Sequence, residues 1–113
     1  MNQQDIAWVR LPFSSMNESK VRPVVVVSNG EYNKSREDIV VCAITSKVEQ
    51  KQYGIAIDNE NLSDGRLPLK SMIRADKIMS IEKSLVIKAF ARLDNRAFDA
   101  LVEEIIKLVK RGK

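Results

Sequence analysis

The residue types available for chemistry define this sequence first by what is missing. Its 113 residues contain no histidine and a single cysteine, Cys42. Acid/base pairs built on imidazole, Ser-His-Asp triads and the His-containing or all-thiolate zinc motifs are therefore excluded. Only four glycines are present, and none belongs to a phosphate-cradling loop. The stretch from Glu60 to Gly65 has the outline of a calcium loop. It fails as one, because Leu62 occupies a ligand position and Ser71 stands where a bidentate carboxylate is required. An acidic surface loop is the better reading. Cys42 sits in an apolar run and is expected to be a small core residue. Neither a metal nor a cofactor is expected.

Catalytic groups, if any, must then come from Arg, Lys, Asp, Glu, Thr, Ser or Tyr. Cleavage of RNA works with that set, because the substrate brings its own nucleophile, the 2′-hydroxyl. The protein must orient it, move a proton and stabilise charge on the phosphorane. Arginine suits the last task, being permanently charged and able to fork onto phosphate oxygens. The net charge is +4 and the pI about 9.3. That bias suits an anionic partner. The excess is spread along the chain, so a nucleic-acid site would be a local patch.

Such residues need elements to hold them. The length fits one domain over 1–113. A hydrophobic fraction of 44% and a charged fraction of 30% place the chain among ordinary globular proteins. No apolar run approaches membrane-spanning length, and the first residues carry no secretory pattern, so a cytoplasmic, reducing location is expected. Short strands are predicted at 5–11, 22–28, 38–45, 53–57, 71–77 and 86–93 from their β-branched content and bounding turn residues. Residues 13–21 read as a polar loop, 31–37 as a charged loop and 58–68 as a second long loop. About six short strands with little helix between them predict a β-rich α+β body, a small barrel or sandwich. The end differs. Phe98, Leu101, Val102, Ile105, Leu108 and Val109 recur at helical spacing, and Asp94 is placed to cap a C-terminal amphipathic helix that closes the core.

Three segments carry a resemblance. The first is Pro12-Phe-Ser-Ser-Met-Asn-Glu-Ser-Lys-Val-Arg-Pro-Val-Val-Val-Val-Ser28, a polar loop running into an Arg-Pro-led valine strand. The second is Ala43-Ile-Thr-Ser46. The third is Ser71-Met-Ile-Arg-Ala-Asp-Lys-Ile78, followed by Ile81-Glu-Lys-Ser84 and Ala91-Arg-Leu93. In order and spacing this set resembles the MazF/PemK family of toxin ribonucleases along nearly the whole chain. Ala43 replaces the family's usual proline, Ala91 stands where many members have glycine, and the polar loop is shorter and lacks glycine.

The resemblance implies a CcdB/MazF-type, SH3-like barrel working as a homodimer. It implies metal-independent cleavage of single-stranded RNA at a preferred sequence, leaving a 2′,3′-cyclic phosphate and a 5′-hydroxyl. A cognate antitoxin with a flexible segment is implied as partner. Carried over by position, Arg22, Thr45, Arg74 and Asp76 are the implied catalytic residues. Ser19, Lys20, Ser46, Lys47 and Lys77 are implied RNA contacts. In this scheme Arg22 stabilises charge, Thr45 donates to a phosphate oxygen, and Arg74 holds the phosphate or orients Asp76. Asp76 accepts a proton if partial burial raises its pKa. Each residue also has a plainer reading. Arg22 is a solvated strand start, Thr45 a good strand residue, and Arg74 with Asp76 a surface ion pair two positions apart on one strand face. The alternative function is a non-catalytic protein on the same fold, either a gyrase-directed toxin or a nucleic-acid-binding barrel. The chain's end, Lys110-Arg-Gly-Lys113, lacks the terminal aromatic pair of the gyrase-directed branch.

Overall fold

A computed structural model describes residues 1–12, 19–49 and 52–112. Seven strands form one antiparallel sheet: β1 (Asp5–Pro12), β2 (Ser19–Val26), β3 (Asp38–Thr45), β4 (Gly54–Ile57), β5 (Leu62–Gly65), β6 (Ser71–Glu82) and β7 (Val86–Leu93). Their spatial order is β4-β6-β3-β2-β1-β7-β5. Two helices, α1 (Gly30–Ser35) and α2 (Asn95–Val109), complete the body. The sheet is open, with β4 and β5 at its edges, and strand irregularities bend it toward a barrel-like shape.

The valine run explains why both faces of the sheet are packed. Val24, Val25 and Val26 are all fully buried. Successive strand side chains point to opposite faces. Val25 joins Ile6, Cys42 and Ile73 in the core under α2, where Phe98 and Leu101 also pack. Val24 and Val26 join Val9, Ile39, Val41 and Ile81 in a second core. Each buried valine is worth roughly 1.5–3 kcal/mol against exposure, so this short segment ties the two layers together.

Helix α2 begins where expected. Asp94 accepts a hydrogen bond from the Ala97 amide at 2.8 Å, satisfying one of the donors orphaned at a helix start. Ala97, Phe98 and Leu101 are buried, and Val102 and Ile105 pack on the same core. Val109, expected on this stripe, is 70% exposed.

Three predicted loops hold structure. The stretch 13–21 gives its last three residues to β2, which runs Ser19–Val26 rather than 22–28. The charged stretch 31–37 contains α1, started by Asn29, whose side chain accepts from the Tyr32 amide at 2.9 Å. The stretch 58–68 contains a 3-10 turn, Asn59–Asn61, and then β5. Asp58 accepts from the Glu60 amide, and Asn61 accepts from the Asp58 amide. These side chains satisfy local backbone groups in the way that favours Asp and Asn in turns. Gly65 lets β5 lie close against β7. Its φ is +75°, and a Cβ there would strike the Phe90 carbonyl and approach the Ala91 Cα to 2.6 Å. Strand β6 also runs to Glu82, beyond the predicted end at residue 77.

Candidate active site

The site begins with a proline. Strand β2 pairs with β1 along its length, from Ile6 opposite Val25 to Pro12 opposite Ser19. Its pairing with β3 covers only Val24 to Val26. Continued by two positions, that register would set Arg22 against Thr45. It stops at Pro23, which has no N–H to give a ladder. The two strands part there, and the gap becomes a cleft of about 1210 Å3. Arg22, Thr45, Ser46, Arg74 and Lys77 all line it.

A second irregularity delivers the β6 residues. On β3, Cys42 pairs with Ile78 but the next residue, Ala43, pairs with Arg74. Residues 75–77 therefore bulge out of the ladder. The Ala75 amide turns instead to the Tyr53 carbonyl at 2.8 Å, while its side chain stays fully buried in the α2 core. Bulges re-aim side chains in this way, often beside functional sites. Arg74 and Asp76, on either side of the buried Ala75, share one strand face at the bulge. Arg74 Nε donates to Asp76 Oδ1 at 2.8 Å and Arg74 Nη2 donates to Asp76 Oδ2 at 2.7 Å. Such a fork fixes the plane of the guanidinium.

Electrostatics follow from that geometry. Hydrogen bonding from Arg74 holds the Asp76 carboxyl below the ordinary carboxylate range, outweighing a smaller upward push from desolvation. The same pairing raises Arg74. The expectation that burial would raise Asp76 is thus corrected. The carboxylate side chain is 34% exposed, and its partner wins. Burial first, and then the negative charge of Asp76, pushes the Cys42 thiol up to about 12. That fits an inert core residue. Thr45 has a divided hydroxyl. Its Oγ1 accepts from the Lys47 amide at 3.1 Å, which leaves the O–H proton available to an incoming oxygen.

The remaining sequence-derived contacts divide. Ser46 and Lys77 line the cleft. Ser19 and Lys20 stand on the exposed start of β2, outside the lining. Lys47 is also outside it and pairs with Glu49 at 3.3 Å. Asp76 reaches the cleft through Arg74. Residues 13–18, most of the polar loop, lie outside the described residues. Among the described residues, the charged lining side chains are Arg22, Arg74 and Lys77 against the carboxylate Glu82, an excess suited to a phosphate. Among the described residues, no three His, Cys, Asp or Glu side chains gather in a form that would hold a metal ion.

Sequence reasoning passed over the support for the bulge. Tyr53, with φ +64°, gives its carbonyl to Ala75 and its amide to Glu104 Oε1 at 3.2 Å. Glu104 is also held by Lys107 at 3.0 Å. A carboxylate of α2 thereby braces the residue on which the bulge hangs. No local pattern announces this, since the two residues are 51 positions apart.

The fold is similar to that of MazE-MazF (Form-II) from Deinococcus radiodurans, with a TM-score of 0.82 and 15% identity over 99% of this chain and 97% of that one. It is similar to an endoribonuclease in complex with its cognate antitoxin from a Mycobacterial species, at 0.77 and 17%, covering 100% of this chain and 99% of that one. It is similar also to the Mycobacterium tuberculosis toxin MazF-mt6, at 0.74 and 18%, covering 95% and 99%. At such identities the likeness is one of fold. No curated protein matches the sequence. The model of one family, described as PemK-like, MazF-like toxin of type II toxin-antitoxin system, matches residues 2–109. With a match across nearly its whole length, the chain belongs to the PemK-like, MazF-like toxin family of type II toxin-antitoxin systems.

Proposed function

We propose that this protein is a metal-independent, sequence-preferring endoribonuclease acting on single-stranded RNA. The observation that carries the reading is the convergence of Arg22, Thr45 and Arg74 on one cleft, in a member of a toxin family. The 2′-hydroxyl oxygen attacks phosphorus as the bond to the 5′-oxygen breaks. The 2′-hydroxyl gives its proton to solvent water and the leaving 5′-oxygen takes one back, so the step balances. The products are a 2′,3′-cyclic phosphate and a 5′-hydroxyl. Arg22 lends permanent positive charge to the phosphorane, and Thr45 donates its O–H to a phosphate oxygen. Arg74, held in plane by Asp76, presents its remaining N–H groups. Asp76 is ionised at neutral pH and is a weak base, so orienting Arg74 is its main task.

The protein is further proposed to act in the cytoplasm as a homodimer, neutralised by a cognate antitoxin whose flexible segment occupies the RNA site. Two solved proteins of the same fold are paired with an antitoxin or with MazE, which supports that reading. The test is incubation of purified protein with a long RNA in EDTA, with mapping of the new 5′ ends. Cleavage should persist and leave 5′-hydroxyl ends, and a 2′-deoxy substitution at the scissile nucleotide should block it. Loss of cleavage in EDTA, or cutting of an all-deoxy strand, contradicts the mechanism.

A further inference from the structure

The cleft has an apolar half that the proposed chemistry does not use. Trp8 and Phe90 both line it, each half-buried. Their rings stack with centroids 4.6 Å apart and planes 17° from parallel. Irregularities in the pairing of β1 with β7 fall on both sides of this position, between Ile6 and Ala7 and between Trp8 and Val9. Ile6 and Val9 are fully buried in different cores, while the indole between them turns to the cleft. Leu67, Pro68 and Leu69 line the same cleft. Asn59 Oδ1 pins this stretch by accepting from the Leu67 amide at 2.7 Å. Leu67 is buried, yet Leu69 is 61% exposed, an apolar side chain left in water at the cleft mouth.

A π-surface and an apolar wall beside a cationic rim match the physical needs of an unpaired nucleotide. Cations take the phosphate, and aromatic faces take the base by stacking. The cleft is larger than the roughly 300–1,000 Å3 that holds one small molecule, so it has room for a phosphate together with a flanking base. We infer that the Trp8–Phe90 stack and the Leu67–Leu69 wall form a nucleobase subsite next to the phosphate engaged by Arg22 and Arg74. This rests on the RNA-cleaving reading and deepens it. The substrate must be unpaired at this nucleotide, because a base within a duplex has both faces already covered.

Trp8 is the only tryptophan, so its fluorescence reports on this wall alone. The probe is a random-sequence 2′-O-methyl RNA of about twelve nucleotides, within the usual span of single-strand sites. Its capped 2′-oxygen prevents cleavage. The control is an abasic strand of equal length and charge. The base-bearing strand should change Trp8 emission saturably and the abasic strand should not. Trp8→Leu should weaken binding of the base-bearing strand about tenfold, the scale of one lost stacking contact, and leave abasic binding unchanged. Should Trp8→Leu fail to fold, the emission of the unaltered protein decides. An equal response to both strands, or none to either, overturns the subsite. So does an emission change on dilution alone, which would place a second copy of the chain on this wall. RNA cleavage followed in parallel keeps the two ideas apart. Cleavage without a base-dependent signal removes the subsite only, and the signal without cleavage removes the nuclease only.

Discussion

The two ends of β2 share a strand and a neighbour but have opposite fates. From Val24 to Val26 the strand is fully buried and paired with β3, and Val24 and Val25 are paired with β1 as well. From Ser19 to Arg22 it is paired with β1 alone, and every side chain is exposed. Pro23 lies between. The closed end joins two cores and supplies stability. The open end leaves a gap in the sheet, and the gap is where Arg22, Thr45 and Arg74 meet. Fold and site are thus set by neighbouring residues of one segment, separated by the loss of a single backbone donor.

Substitutions on either side of the proline should separate the two roles. Arg22→Ala should lower the cleavage rate about a hundredfold or more, the scale of losing one transition-state donor, while thermal unfolding shifts little, as for most exposed polar changes. Val25→Ala should do the reverse. It should cost about 2 kcal/mol of stability from lost burial and a residual cavity, with the rate per folded molecule unchanged. Denaturant titration and single-turnover cleavage would read both. Pro23→Val restores an N–H and a good strand residue at the junction. If the proline holds the strands apart, this variant should be as stable as the parent or more so, and about tenfold slower, since small misplacements of catalytic groups are costly. A Pro23→Val protein with full activity would show that the gap has another cause.

Smaller effects should come from the bulge on β6. Glu104→Ala removes the brace on Tyr53 and should reduce kcat a few-fold with KM little changed. Glu104→Gln keeps an acceptor for the Tyr53 amide and should restore most of the loss. Asp76 bears on the pH profile. Its folded pKa is depressed, so the stabilisation from its pair with Arg74 is present above the ordinary carboxylate range and fades as pH falls through the lowered value. From about pH 5 to 8 its charge is constant. Parent and Asp76→Asn should then show parallel rate profiles over that window, the variant lower by a few-fold because Arg74 loses its fork. A rate rise between those limits that vanishes in Asp76→Asn would make Asp76 the working base instead.

Much of this was legible in the chain. The strands at 38–45 and 86–93 have the predicted bounds, because apolar-rich segments bounded by polar turn residues leave little choice of ends. Asp94 and the apolar stripe gave α2 for the same local reasons. α1 and β5 were less visible. The first is a single helical segment of six residues held by Asn29, and the second is a four-residue edge strand that depends on Gly65 lying flat against Phe90 and Ala91. The segment patterns singled out Arg22, Thr45 and Arg74 as candidates, and the fold lines one cleft with all three. The bulge at residues 75–77 and its brace from Glu104 were not singled out, because both arise from contacts distant in sequence. The sign of the Asp76 shift was likewise out of reach, since it depends on whether the neighbouring guanidinium closes into a fork.

The most direct test of the central claim is single-turnover cleavage by the Arg22→Ala, Arg74→Ala double variant, with its melting curve measured on the same sample. The two side chains stand on different strands at the open end of the sheet and line one cleft. A native melting transition with cleavage lost beyond detection is the predicted result. A native transition with full cleavage would contradict the assignment of this cleft as the active site.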